Sequence, residues 1–377
     1  MTAMTTAVAH HPQTVEVAAV DVAAVDVAAT QPARRSLARY RAVAGRVLRW
    51  VLLALAVAML VRFVRDGWPE IRASLSQVTL DQLPLVGLAA VVEMAWMYAM
   101  SQVYRSALMG FGGTVQRRTA VRISMAAFTL SRILPGGGAA GGAVAVRELI
   151  ALGNPPLRTI VSQLASWWIT MTALACLLVA GIGLSVVNGT LAVRYLVGPG
   201  IALAVLVAGG AGLTVAARSP RFQARMSRTI ARGAARLGAG TTADGAAVAA
   251  ATSGVRITGL LAVFGWGMVV WITDAAALWL ALAAFGWHVD VGVLLVAYGV
   301  ANLISALPEL TPGWLGVLEA SVAVTLAAFG VPQGIAAVAV LVYRLVSYWL
   351  PTAAGIPAAA SVVGRRPLRR NRHVVHA

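Results

Sequence analysis

Eight ionisable side chains interrupt the long apolar runs of this chain: Glu93, Arg132, Arg147, Glu148, Asp274, Glu309, Glu319 and Arg344. A charge at the centre of a bilayer costs at least ~2.5–3.5 kcal/mol on insertion scales, so such residues pair with one another or line a watery path. Three arginines stand against five carboxyls, which allows substantial mutual neutralisation. Two readings are open. The groups are structural pairs that hold helices together, or they form a polar path for a charged head group. Arg344, beside Tyr343, is predicted to pair with Glu309 or Glu319. Glu93 and Asp274 could also form an ion or proton relay.

A second chemical feature is the stretch Leu134-Pro135-Gly136-Gly137-Gly138-Ala139-Ala140-Gly141-Gly142. It lacks the Gly-Lys-Ser/Thr ending of a nucleotide loop, and no strand precedes it. Exposed N–H groups at a broken helix start can hold an anion, and Arg132 lies one turn away. A phosphate held by Arg132, Arg344, Gly136, Gly137 and Gly138 is the expectation; the alternative is that glycine only permits a tight turn. No Ser/His/Asp set and no activated thiol is present, so the chain is read as a non-enzyme. The lone cysteine, Cys176, lies in an apolar run, and four of the five histidines (His10, His11, His373 and His376) lie in the tails, which gives no metal site and no cofactor.

The elements that must position these residues follow from composition. Of 377 residues, 59% are hydrophobic and 11% charged, against roughly 25% charged in ordinary soluble domains. The mean hydropathy is +0.81. A soluble globule of this size cannot hide that apolar excess, because much of its surface must face water. The bilayer is the remaining solvent. The net charge of +17 comes entirely from arginine, without lysine, and the base composition this implies points to a high-GC bacterium. Basic residues placed between apolar runs indicate a membrane bias and not nucleic acid.

The apolar segments fall at about 47–64, 83–103, 119–134, 157–186, 193–217, 257–284, 291–307 and 333–361. Most reach the roughly 17–25 residues that a span requires. The segments ending near 134 and 307 run into breaks, at Pro135 and Gly136–Gly142 and at Pro308, Pro312, Gly313 and Gly316, and a further apolar stretch follows each (143–153 and 317–330). Non-helical backbone at membrane depth must be buried in protein or face a cavity. Each is therefore read as a helical hairpin with a broken tip. The fold class expected is an all-α polytopic membrane helix bundle, with six full spans, two broken hairpins and two inverted-topology halves, about 47–186 and 193–361.

Arginine placement sets the orientation. Assigned by loop, 24 of the 30 arginines fall on one side and 4 on the other, leaving Arg132 and Arg344 at depth. The positive-inside rule then puts both termini in the cytoplasm. Residues 1–46 read as a disordered cytoplasmic tail, 47–361 as the membrane domain and 362–377 as a basic cytoplasmic tail. The loop 218–256 carries Arg218, Arg221, Arg225, Arg228, Arg232 and Arg236 at helical spacing, which suits a helix lying on anionic lipid.

Two signatures resemble a known family. One is Leu134-Pro135-Gly136-Gly137-Gly138, Gly142, Arg147-Glu148 and Gly153. The other runs Pro308, Thr311-Pro312-Gly313-Trp314-Leu315-Gly316-Val317-Leu318-Glu319-Ala320, Gly330-Val331-Pro332, Tyr343-Arg344, Tyr348-Trp349-Leu350-Pro351 and Gly355. Over about 83–361 the chain resembles the lysylphosphatidylglycerol synthase transmembrane-region, or flippase-like, membrane proteins. That resemblance implies a multi-pass protein of a bacterial cytoplasmic membrane that moves a lipid between leaflets. The lipid classes it suggests are an anionic or aminoacylated phospholipid and a polyprenyl-phosphate-linked glycolipid. With its last residue at Ala377 the chain is expected to match the stand-alone members, which lack a synthase domain. Glu93, Arg147, Glu148, Asp274, Glu309, Glu319 and Tyr343 are expected along the path, with Pro135, Pro308, Pro312, Gly313 and Gly316 at the tips. The partners expected are membrane lipids, a separate lipid-synthesising enzyme and a second copy in a homodimer, with no nucleic acid. The rival readings are an ion- or proton-coupled small-solute transporter and a non-transporting scaffold for envelope synthesis.

Overall fold

A computed structural model describes residues 80–133, 137–190, 254–304 and 317–363, with isolated positions between 65 and 73 and between 197 and 208. The predicted spans at 47–64 and 193–217, both tails and nearly all of the loop 218–256 lie outside the described residues, as do Pro135, Gly136, Pro308, Glu309, Pro312, Gly313 and Gly316. The described residues are helical, without strands. In chain order the helices are α1 (Leu83–Gly110), α2 (Arg117–Ile133), α3 (Gly137–Ala151), α4 (Pro156–Val187), α5 (Ile257–Ala284), α6 (Val291–Ile304), α7 (Val317–Ala328), α8 (Gln333–Arg344), α9 (Leu350–Ala354) and α10 (Ile356–Val363).

Four apolar stretches are long enough to cross a membrane: Leu80–Gly110, Pro156–Val187, Ile257–Ala284 and Gln333–Val362. They coincide with four of the six predicted spans. The last is interrupted by a π-helical turn at Leu345–Trp349. Pro351 follows that turn and has no N–H to return to the preceding one, so the hydrogen-bond ladder widens there. The shorter apolar helices α6 and α7 are the limbs of the second hairpin.

The first hairpin differs from its prediction. Gly137–Gly142 are not part of a break but form the first turns of α3. The cause is packing. A Cβ on Gly141 would strike the carbonyl oxygen of Ala127 and lie 2.7 Å from the Cβ of Ser131. Glycine here lets α3 lie against α2, so the run serves helix contact more than chain reversal.

The bundle is organised on α1 and α5. Gly110 meets Gly259 backbone to backbone, and the Arg256 amide donates to the Gly110 carbonyl at 2.9 Å. Farther along, Tyr98 packs edge-on to Trp266 with centroids 5.9 Å apart. Successive contacts move backward on α1 and forward on α5, so the two helices are antiparallel along their length. Ala89, Ala99 and Ala107 on α1 and Ala275, Ala277 and Ala281 on α5 are fully or almost fully buried, and these small side chains permit the close approach. Larger apolar residues such as Leu88, Val91, Ile272 and Leu261 point outward, as a lipid-facing surface requires.

Some helix contacts recur when the two halves are exchanged. α1 packs on α4 as α5 packs on α8, and α4 packs on α6 as α10 packs on α2. The hairpins open at opposite ends of the α1/α5 pair. At the Gly110 end, Asn154 joins the feet of the first hairpin: its Oδ1 accepts from the Thr114 amide at 2.9 Å, and its Nδ2 donates to the carbonyls of Thr114 and Leu149 at 3.1 and 3.0 Å. At the other end Phe285 packs against Ala337 and Val338, bringing together the entry and exit of the second hairpin. Asn154 is buried, so Asn154→Ala strands three backbone groups. The expected cost is about 2 kcal/mol, read as a lower unfolding temperature of the detergent-solubilised protein.

Candidate functional site

The antiparallel register of α1 and α5 sets the site. Glu93 lies about 15 Å along α1 from its start, and Asp274 stands at the same level on α5. Their side chains face each other, close enough for each carboxyl to act on the other. Both residues are buried, at 1% and 8% exposure. Asp274 is held by two phenols: Tyr298 of α6 donates to Oδ2 at 2.6 Å and Tyr343 of α8 donates to Oδ1 at 2.7 Å. One carboxyl thus ties the second hairpin and the last span to the central helix pair.

The next residue along the chain, Arg344, donates its Nε to Glu319 Oε1 of α7 at 2.6 Å. Of the two predicted partners Glu319 is the one seen, and Glu309 lies outside the described residues. The Arg344 guanidinium also sits 4.7 Å from the ring centre of Tyr348, in the π-helical turn. The same ring receives Arg132 from α2 at 4.4 Å, and Arg132 lies 4.6 Å from the ring of Phe128 as well. Aromatic faces attract cations, more so where water is excluded. Tyr348 therefore lets two like charges share one place, and both guanidiniums interact electrostatically with Glu93.

Glu93, Arg132, Asp274, Glu319, Tyr343 and Arg344 are brought together, on five helices. Arg147 and Glu148 are not part of this group. They pair with each other at 3.3 Å, and the Arg147 side chain is half exposed. Glu148 lies two turns beyond Gly141 toward the foot of the hairpin, about 10 Å farther from the tip. Glu148 is expected from the sequence to balance Arg132 and Arg344; the ion pair it makes among the described residues is with Arg147. Gly137 and Gly138 open α3, beyond Arg132.

Sequence reading missed Tyr298 and undervalued Tyr348. Tyr298 is fully buried and is the one phenol of α6, followed one turn later by the buried Asn302, whose Nδ2 donates to the Tyr298 carbonyl at 3.0 Å. A Tyr and an Asn one turn apart within an apolar run are the signal that could have found it. Beside the cluster a cleft of about 90 Å³ lies between α1, α2 and α3, lined by Trp96, Tyr104, Ser124, Ser131, Gly138 and Gly142 among others. Ligand pockets occupy about 300–1,000 Å³, so this cleft is smaller than such a pocket.

A helix bundle that buries carboxyls and guanidiniums together, between hairpins opening at opposite ends, defines a multi-pass membrane protein built to hold charge at depth. The chain belongs to the family described as the lysylphosphatidylglycerol synthase TM region, whose model matches residues 46–355. It is similar to two proteins called UPF0104 membrane protein from Methanothermobacter thermautotrophicus. One is 34% identical over 100 residues (26% of this chain, 30% of the relative), the other 32% identical over 90 residues (24% and 26%). A UPF0104 membrane protein of Methanocaldococcus jannaschii is 32% identical over 99 residues (24% and 29%). The chain thus spans under a third of the length of each of these curated relatives.

Proposed function

We propose that the protein moves a lipid bearing an anionic phosphate head group between the leaflets of a bacterial cytoplasmic membrane, with both termini in the cytoplasm. The observation that carries this reading is the pair of guanidiniums, Arg132 and Arg344, on opposite halves of the fold and gathered on the Tyr348 ring. Arginine binds phosphate through planar, charge-assisted hydrogen bonds. Arg132, carried by the hairpin beside the cleft, is the residue that meets the phosphate, and Arg344, paired to Glu319, sets the local field. The α2/α3 hairpin carries Arg132, so its displacement opens the cleft and delivers the head group. The basic loop 218–256 docks on anionic lipid, and the lipid crosses without chemical change. This is the action of a transporter and not of an enzyme, and a separate enzyme makes the lipid.

The test uses fluorescent phosphatidylglycerol in vesicles of phosphatidylethanolamine and phosphatidylglycerol. Wild-type protein is expected to speed its exchange between leaflets, and Arg132→Gln to slow it by about ten-fold or more, the worth of one charge-assisted contact. A wild-type rate from Arg132→Gln removes the site assignment. A small-solute transporter would use the same Glu93–Asp274 pair, and it is favoured if solute uptake follows pH while lipid exchange is absent.

A further inference from the structure

We propose that Glu93 and Asp274 together hold one exchangeable proton, and that this proton travels with the lipid phosphate in the same direction. The coupling rests on the lipid reading above; the proton site itself does not.

The argument begins with hydrogen-bond chemistry. A carboxylate only accepts, so two carboxyls in a mutual hydrogen bond need a proton between them. Glu93 and Asp274 face each other closely enough to bear on one another, and a proton between them would complete such a bond. Asp274 already accepts from Tyr298 and Tyr343, one phenol on each oxygen. Glu93 is 1% exposed, and its Oε2 is buried without a hydrogen-bond partner. A fully ionised pair would leave two carboxylates facing each other with that oxygen unsatisfied, buried within the bundle.

The surroundings count the same way. The charged and titratable groups facing the dyad are Arg132 on α2, Tyr298 on α6, and Tyr343 and Arg344 on α8. Glu319 on α7 is tied to Arg344. The three carboxyls and two guanidiniums of this cluster carry one excess negative charge when all are ionised, and one proton on the dyad makes the cluster neutral. With the dyad protonated, less negative charge opposes the pull of the guanidiniums on an anion. With the proton lost, the extra negative charge repels it. A phosphate monoanion that enters with a proton leaves the net charge of the cluster unchanged, whereas the phosphate alone would add a second negative charge. Asp274 spans to Tyr298 and Tyr343, so a change of its charge is felt at once by the second hairpin and the last span.

The experiment has two readouts on the full chain in vesicles of phosphatidylethanolamine and phosphatidylglycerol. Infrared difference spectroscopy in water and deuterium oxide is expected to show a protonated carboxyl in the wild type. That signal should be lost in both Glu93→Gln and Asp274→Asn. Its absence from the wild type, or its persistence in both variants, overturns the proton site. Glu93→Gln keeps a donor toward Asp274 and removes only the titration, so its fold is preserved. The second readout is transfer of fluorescent phosphatidylglycerol under an imposed pH gradient. Wild-type transfer should accelerate when the side the lipid leaves is made more acid, and whatever transfer Glu93→Gln shows should be the same under either gradient. Acceleration by the opposite gradient, or no response in the wild type, overturns the coupling. A carboxyl signal that behaves as expected in a wild type that transfers no lipid overturns the lipid reading and the coupling, and upholds the proton site.

Discussion

Arg344→Ala is expected to destabilise the protein by about 3–5 kcal/mol, the cost of leaving one member of a buried ion pair without its partner. The side chains of Arg344 and Glu319 are 7% and 14% exposed, and their contact is 2.6 Å. Removing the guanidinium leaves the Glu319 carboxylate in an apolar setting, and it withdraws a cation from the Tyr348 ring and from Glu93. Thermal unfolding in detergent reads the effect. The paired change Arg344→Met with Glu319→Leu separates stability from action. Replacing both members of a buried pair by apolar residues is often neutral, so unfolding should return close to wild type. Lipid exchange should not return with it, because the field at the site is gone. If the paired variant exchanges lipid at the wild-type rate, the ion pair serves only to hold α7 against α8.

Gly259→Val is expected to cost about 3 kcal/mol or more, as overpacking against backbone does when nothing can yield. A Cβ at Gly259 would run into the Cα of Gly110, with the Gly110 amide nitrogen 3.0 Å away and the Ser106 carbonyl 3.5 Å away. These are backbone atoms of the facing helix, not the ends of flexible side chains. Relief would require α1 and α5 to separate, and that would pull Glu93 from Asp274. Gly265→Ala, on the same helix, is the control. Nothing lies within 4 Å of its added Cβ, so the substitution should stabilise by about 0.5–1 kcal/mol through helix propensity. Equal losses from the two variants would show that α5 tolerates no side chain anywhere, and that the Gly110 contact is not special.

The helices that carry the site were legible in the sequence, because a span announces itself by length and apolar content. The need of Arg344 for an acid was legible too, since a buried charge cannot stand alone, and the choice narrowed to Glu309 and Glu319. The meeting of Glu93 with Asp274 was not. Both were placed in the spans that precede the hairpins, but their contact depends on the register of two helices far apart in sequence, and no periodicity within either helix encodes it. The Gly-rich stretch misled for a related reason. Gly141 looks like a breaker when read alone and acts as a contact surface once Ala127 lies opposite. Arg147 and Glu148 were grouped with the deep charges by position in an apolar run. Their place near the foot of the hairpin follows from where α3 starts, at Gly137, and a run of glycines hides that boundary.

The pairing of α1 with α5 also imposes an order on synthesis. Asp274 leaves the ribosome about 180 residues after Glu93, which at about 5–20 residues per second is an interval of about 10–40 s. Throughout it the first acid has neither Asp274 nor the phenols of Tyr298 and Tyr343 beside it, and of the charged groups of the finished cluster only Arg132 has followed it. An ionised carboxyl at that depth works against insertion, so α1 enters the bilayer more readily with Glu93 protonated. The carboxyl that later exchanges its proton in the finished dyad is thus first protonated to get there, before Asp274 arrives to share the site.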